Sequence, residues 1–228
     1  RARACQAAAA KHGRPVMIGF NRRFDPNFAA LKAQFDAGAI GKGELLSITS
    51  FDPAPPPVAY VKVSGGLFRD MAIHDFDMAC WLYGATPKAV TAVGTSIVDP
   101  AIGAAGDVDT AIITLHFADG RLAVIKNSRR AVYGYDQRIE LLGATGLLSA
   151  GNVLENTVAK ITTDGAVSAK PEYFFLERYM RSYEAEWNAF VKAVQTQTAL
   201  PVTLDDGVNA LAVAEAATLS AKTGQTVA

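Results

Sequence analysis

An excess of charge of either sign, a long apolar run and a cysteine framework are all missing from this chain. Lysines plus arginines number 22 and aspartates plus glutamates 22, so no net field favours a nucleic acid or an anionic membrane surface. A small neutral partner is expected instead. No stretch is long enough to span a bilayer, and no charged-then-apolar leader pattern opens the sequence, which predicts a cytoplasmic protein. Cys5 and Cys80 fit no CxxC or Cys/His spacing, and each lies in an apolar helical setting. Reduced core thiols are therefore expected. GxGxxG, Walker and GxSxG patterns are also missing, so neither a nucleotide-phosphate loop nor a serine nucleophile can be argued.

What is present is 228 residues that are 50% hydrophobic, enough to bury a sizeable core without staples. The chain begins with Arg1 and enters a helical pattern at once, which predicts an upstream portion. "RARACQAAAAKHGR" reads as a helix stopped by Gly13, and "PVMIGFN" as a short strand buried on both faces. "DPNFAALKAQFDAGAIG" carries a full set of helix signals: Asp25 as cap, Pro26 in the first turn, Phe28, Leu31 and Phe35 on one face, and Gly38 at the end. "GELLSITSFD" reads as a strand and "PAPPPVAYVKVSGG" as a stiff rim loop. One long helix is predicted from about Gly66 to Tyr83. Strands then dominate, with hairpins at Asp119-Gly120 and Asp164-Gly165, before two closing helices, one with Tyr179, Tyr183, Trp187, Phe190 and Val194 at helical spacing and one started by Asp205 and stopped by Gly224. Strands joined by tight turns imply an α+β layout: an open, mainly antiparallel β-sheet with helices packed on one face.

The chemistry concentrates in "GGLFRDMAIHDFDMACWL". Asp70, His74, Asp77 and Trp81 are spaced by four, three and four, which places them on one stripe of a helix. A polar stripe on an apolar helix is expected to face a cleft, and an aspartate one turn before a histidine can favour its charged form for proton transfer. A plain structural hydrogen bond is the competing reading of that spacing. A metal site is disfavoured, because three ligands at i, i+4 and i+7 do not readily converge on one ion. An HD-type phosphohydrolase is weak too, since only His12 and His116 remain and His116 sits on a predicted strand with structural neighbours. Arg22 and Arg23 leave the end of a predicted strand, where α/β proteins place ligands, with bare surface arginines as the competing reading. Tyr133 and Tyr135 alternate around Gly134, so both are predicted on one strand face, offering hydroxyls to a polyhydroxy ligand or packing across strands.

Taken together, "MIGFNRRFDPNF", "SFDPAPPPVAYVKVSGGLFRDMAIHDFDMACWL" and "YGYDQRIELLGATG" resemble the inositol 2-dehydrogenases of the Gfo/Idh/MocA oxidoreductase family. The resemblance implies a C-terminal, dihydrodipicolinate reductase-like substrate and oligomerisation domain at residues 21–228, preceded at 1–20 by the last helix and strand of a Rossmann domain. It implies oxidation of myo-inositol or a related cyclic polyol or sugar, with NAD as the cofactor of the intact protein. The acidic residue that chooses NAD over NADP would lie upstream, as would the family's lysine. The implied roles are His74 and Asp70 at the substrate hydroxyls, Asp52, Tyr133, Tyr135 and more weakly Tyr183 as substrate contacts, Asn21 and Arg23 facing the nicotinamide, and Asp77 holding its helix. A homo-oligomer, dimer or tetramer, through the sheet face is implied, and the chain by itself is expected to be inactive. A cofactor-free ligand-binding or oligomerisation module is the alternative.

Overall fold

The computed structural model describes residues 2–228. Helix α1 (Ala2–His12) buries none of its residues and ends at Gly13, whose φ of 59° is left-handed. Cys5 on this helix is exposed rather than a core thiol, while Cys80 is partly buried. Residues 15–21, expected as a strand, pair with no strand among the described residues, and Asn21 already begins a 3-10 turn. A strand is defined by a hydrogen-bonded neighbour, which this segment does not have here. Met17, Ile18 and Phe20 pack instead against Val202 and Ala210 as a small second cluster.

A single 3-10 turn (Asn21–Phe24) then leads into α2 (Pro26–Asp36). The Asp25 side chain accepts from the Asn27 and Phe28 amides at 3.0 and 3.1 Å, satisfying donors that a helix start leaves free. Asp25 also pairs with Arg178 of the long helix α7 (Phe175–Thr196).

Six strands form one open sheet. They are β1 (Gly43–Phe51), β2 (Ala89–Thr95), β3 (Thr110–His116), β4 (Leu122–Ser128), β5 (Asp136–Gly143) and β6 (Gly146–Ala150), in the order β2-β3-β4-β1-β5-β6. The hairpins β3-β4 and β5-β6 are antiparallel as expected, and so is β2-β3, whose connection carries the short helix α6 (Pro100–Ala104). The central pair is not: β1 runs parallel to β4, with Phe51 opposite Ser128. The crossover between β1 and β2 is long enough to permit this, because it holds α3 (Val58–Ser64), α4 (Leu67–Asp70) and α5 (Ala72–Tyr83). A further hairpin, β7 (Ala159–Thr162) with β8 (Gly165–Ser168), stands apart and is exposed throughout.

The inward residues of each strand alternate with outward ones, and one sheet face carries the core. Leu46, Ile113, Leu115, Ala123, Ile125 and Leu141 are fully buried there against Phe76, Leu82 and the alanines of α8 (Leu204–Thr223). Each large apolar side chain so buried contributes roughly 1.5–3 kcal/mol. The opposite face leaves Leu45, Val93, Ile112, Leu142 and Leu147 exposed.

Two expectations for the crossover need correction. The proline-rich stretch carries the short helix α3, with Pro57 before its first turn and Gly65 at φ 95° ending it. The predicted helix from Gly66 to Tyr83 breaks at Met71. Its first turn is fixed from outside, since the Leu67 amide donates to the Asp107 carboxylate at 3.0 Å. The tightened contact of the His74 amide on the Met71 carbonyl, 3.4 Å, then joins α4 to α5.

Candidate active site

Asp52 follows β1 and Arg129 follows β4, so the parallel register sets them side by side at the carboxyl ends of two central strands. The Asp52 amide continues the ladder by donating to the Ser128 carbonyl at 2.9 Å. The Arg129 guanidinium then spans two carboxylates: Nη1 donates to Asp52 Oδ2 at 3.0 Å and Nη2 to Asp70 Oδ2 at 2.6 Å. Tyr60, exposed on α3, donates to the other oxygen of Asp70 at 2.6 Å. Burial raises the Asp52 pKa against the pull of Arg129.

Behind this rim lies a second set. Arg22 donates to Asp75 at 2.5 Å and to Ser50 at 3.2 Å, Asn127 donates to Asp75 at 2.8 Å, and Ser50 donates to Gln137 at 3.1 Å. All five residues are buried. Burial works against the Arg22 charge, but Tyr179, Asp75 and Tyr135 outweigh it and the guanidinium stays protonated.

His74 feels the charge of both sets, Arg22 from one and Asp70 from the other, and is partly buried and edge-on to Phe20 with ring centroids 5.9 Å apart. Its Nδ1 is buried without a partner. Burial and the positive charge of Arg22 lower its pKa to about 3, although Asp70 opposes them. The sequence spacing suggested that Asp70 would raise the histidine. Asp70 instead spends both oxygens on Arg129 and Tyr60, so it acts on His74 only through space. His74 is a neutral acceptor at neutral pH.

The other candidates divide. Arg23 is paired with Asp77 at 2.5 Å and with Asp206 at 2.9 Å, so Asp77 does hold its helix, through that arginine. Burial nevertheless raises Asp77 to about 6. Asn21 is buried beside Arg22 in the chain, with Nδ2 unpartnered. Tyr133 and Tyr135 do not share a face. Gly134, at φ 133°, breaks the alternation, and a Cβ there would lie 2.8 Å from the Pro171 carbonyl oxygen. Tyr133 is 46% exposed and donates to Asp136 at 2.5 Å, whereas Tyr135 is buried against Tyr179. Tyr183, on α7, is partly buried against the main core and bonds to neither Asp70 nor His74 among the described residues. Arg129 and Tyr60 were missed by sequence reasoning. The signal available for Arg129 was its position directly after a strand, which means little until the parallel register is known. A cleft of about 420 Å³ between α2 and β6, lined in part by Asn27, Gln34, Ser149 and Asn152, shares none of these residues.

An open mixed sheet with helices on one face, and with Asp52 and Arg129 at the carboxyl ends of its two parallel strands, defines an α+β domain. Residues 28–149 match the GFO/IDH/MocA C-terminal domain, and the chain belongs to the Gfo/Idh/MocA family. It is 52% identical over 202 residues to the myo-inositol 2-dehydrogenase of Thermotoga maritima, covering 89% of this chain and 60% of that one. The crystal structure of a myo-inositol dehydrogenase from Corynebacterium glutamicum superposes with a TM-score of 0.94 at 43% identity, covering 99% of this chain and 68% of that one. A scyllo-inositol dehydrogenase from Lactobacillus casei, solved with bound NAD(H) and scyllo-inositol, superposes with a TM-score of 0.90 at 29% identity, covering 99% and 68%. The chain spans 60 to 67% of the length of the first curated relatives it matches.

Proposed function

We propose that this chain is the substrate-binding part of an NAD-dependent inositol 2-dehydrogenase that oxidises myo-inositol or a related cyclic polyol. One observation carries the reading: Arg129 holds the carboxylates of Asp52 and Asp70 together where β1 and β4 end, with the neutral His74 within electrostatic reach of Asp70. Such an arrangement is rich in acceptors and suits a ligand that is rich in hydroxyl donors. Asp52 and Asp70 would accept from ring hydroxyls and orient the ring. His74 enters neutral, its buried Nδ1 would accept a hydroxyl hydrogen if a ligand displaced what covers it, and Asp70 is the nearby charge that would stabilise the imidazolium so formed. Homo-oligomerisation through the open apolar sheet face belongs to the same proposal.

NAD, when bound, supplies hydride acceptance. Asn21 fits a role in holding it, because a buried amide without a partner has hydrogen-bonding capacity to give a ligand. Arg23 does not fit a direct contact, because Asp77 and Asp206 occupy its guanidinium. We assign residues 1–20 to the end of a Rossmann domain and 21–228 to the substrate domain. Support comes from residues 15–20, which run without a strand partner among the described residues, and from relatives longer than this chain.

The test is NAD reduction by full-length protein with myo-inositol and other cyclic polyols, alongside residues 1–228 alone. Turnover is expected from the former and none from the latter, since holding cofactor and substrate together is worth on the order of 7–11 kcal/mol of barrier. Absence of turnover with every polyol sinks the reading. The exposed apolar sheet face is also what a second reading, a cofactor-free binding or oligomerisation module, would use. Binding of myo-inositol by calorimetry or assembly by light scattering, without turnover by the full-length protein, supports that second reading, and a non-binding monomer counts against it.

A further inference from the structure

We infer that Arg129 is a positioning residue that sets the separation of Asp52 and Asp70, so that the two carboxylates read two hydroxyls of one ring as a pair. The inference rests on the polyol dehydrogenase reading above. A guanidinium is planar and its two terminal nitrogens point in fixed directions. Here each is committed to a different carboxylate. Arg129 is itself held, 5% exposed, with its amide donating to the Asp109 carbonyl at 2.8 Å.

The two aspartates reach this point by different routes. Asp52 is fixed by the β1-β4 register. Asp70 ends a four-residue helix directly before the break at Met71, so the guanidinium is its tie to the sheet.

Both carboxylates keep an oxygen that a ligand can use. No described residue bonds Asp52 Oδ1. Among the described residues, Asp70 Oδ1 accepts only from Tyr60, whose side chain is exposed on α3. That contact is of the O–H to carboxylate kind that a ring hydroxyl would make. A solvent-side tyrosine is a replaceable donor, whereas a buried two-way arginine is not.

The test uses full-length enzyme with Arg129→Lys and Arg129→Gln, on myo-inositol and its monodeoxy analogues, with folding checked by circular dichroism. Lysine keeps the charge but cannot span two carboxylates with a fixed fork, so KM should rise about tenfold or more while kcat changes less. The penalty should be uneven, shrinking on analogues that lack a hydroxyl held by either aspartate. An unchanged KM, or an equal loss on every analogue, overturns the inference, as does failure of both variants to fold. No turnover by the unsubstituted enzyme overturns the reading of the reaction and this inference with it. Turnover with a uniform loss overturns this inference alone.

Discussion

Of the arginine-carboxylate sets near α5, those of Arg22 and Arg129 differ in closure. Around Arg22 and Asp75 every partner is buried, and Ser50, Asn127 and Gln137 complete a network reached by neither solvent nor ligand. Around Arg129 the guanidinium is just as buried, but its carboxylates are 16 and 17% exposed and one of them is capped by a surface tyrosine. Identical chemistry therefore serves two ends. A closed set is costly to break and its spare atoms, Asn127 Oδ1 and Gln137 Nε2, are buried, while an open set keeps acceptors in fixed positions at the surface.

Asp75→Ala should give the largest effect. It strands a buried guanidinium, and a loss of about 3–5 kcal/mol of unfolding free energy is expected. Denaturant titration would register this as a lower midpoint. A loss below about 1 kcal/mol would mean that the closed set is not closed.

Tyr60→Phe probes the open set. Removing one hydrogen bond at a side chain that is 47% exposed should cost no more than about 1.5 kcal/mol. Its expected signature is instead a changed KM for polyol, since Asp70 Oδ1 is released. A stability loss as large as that of Asp75→Ala would erase the distinction between the sets.

Much of this was legible beforehand, for reasons that are local. The Asp25-Pro26 helix start, the Gly84 and Gly224 stops and the hairpin at Asp119-Gly120 depend on residues adjacent in the chain, and the structure has them. The cap of α8 moved by two residues, to Thr203 with Asp206 in a reciprocal box. What failed was non-local. Parallel pairing of β1 with β4 cannot be seen in a run of hairpins, and without it neither the Asp52-Arg129 juxtaposition nor the buried role of Asp75 follows. Stripe spacing assumed an unbroken helix through Met71. The alternation argument for Tyr133 and Tyr135 assumed a regular strand through Gly134, where a positive φ reverses the second side chain.

His74 offers the finest measure of the comparison, because the two sets pull its proton in opposite directions. Burial comes first and Arg22 second in lowering its pKa to about 3, and Asp70 is the opposing influence. An unfolded histidine takes up a proton near pH 6.5, and the folded site would not do so until far lower. Stability from this residue is thus intact above about pH 6.5 and is lost as the pH falls toward 3. His74→Gln should remove that part of the acid-side decline and leave stability at pH 8 nearly unchanged, an effect smaller than one full proton's worth because the ring is only partly buried. NMR titration of the ring reads the same quantity directly. No protonation down to about pH 5 means that the closed set's charge and burial govern the site. Titration near 6.5 would mean that the open set, through Asp70, offsets both, and His74 would then enter the reaction partly charged instead of as a neutral acceptor.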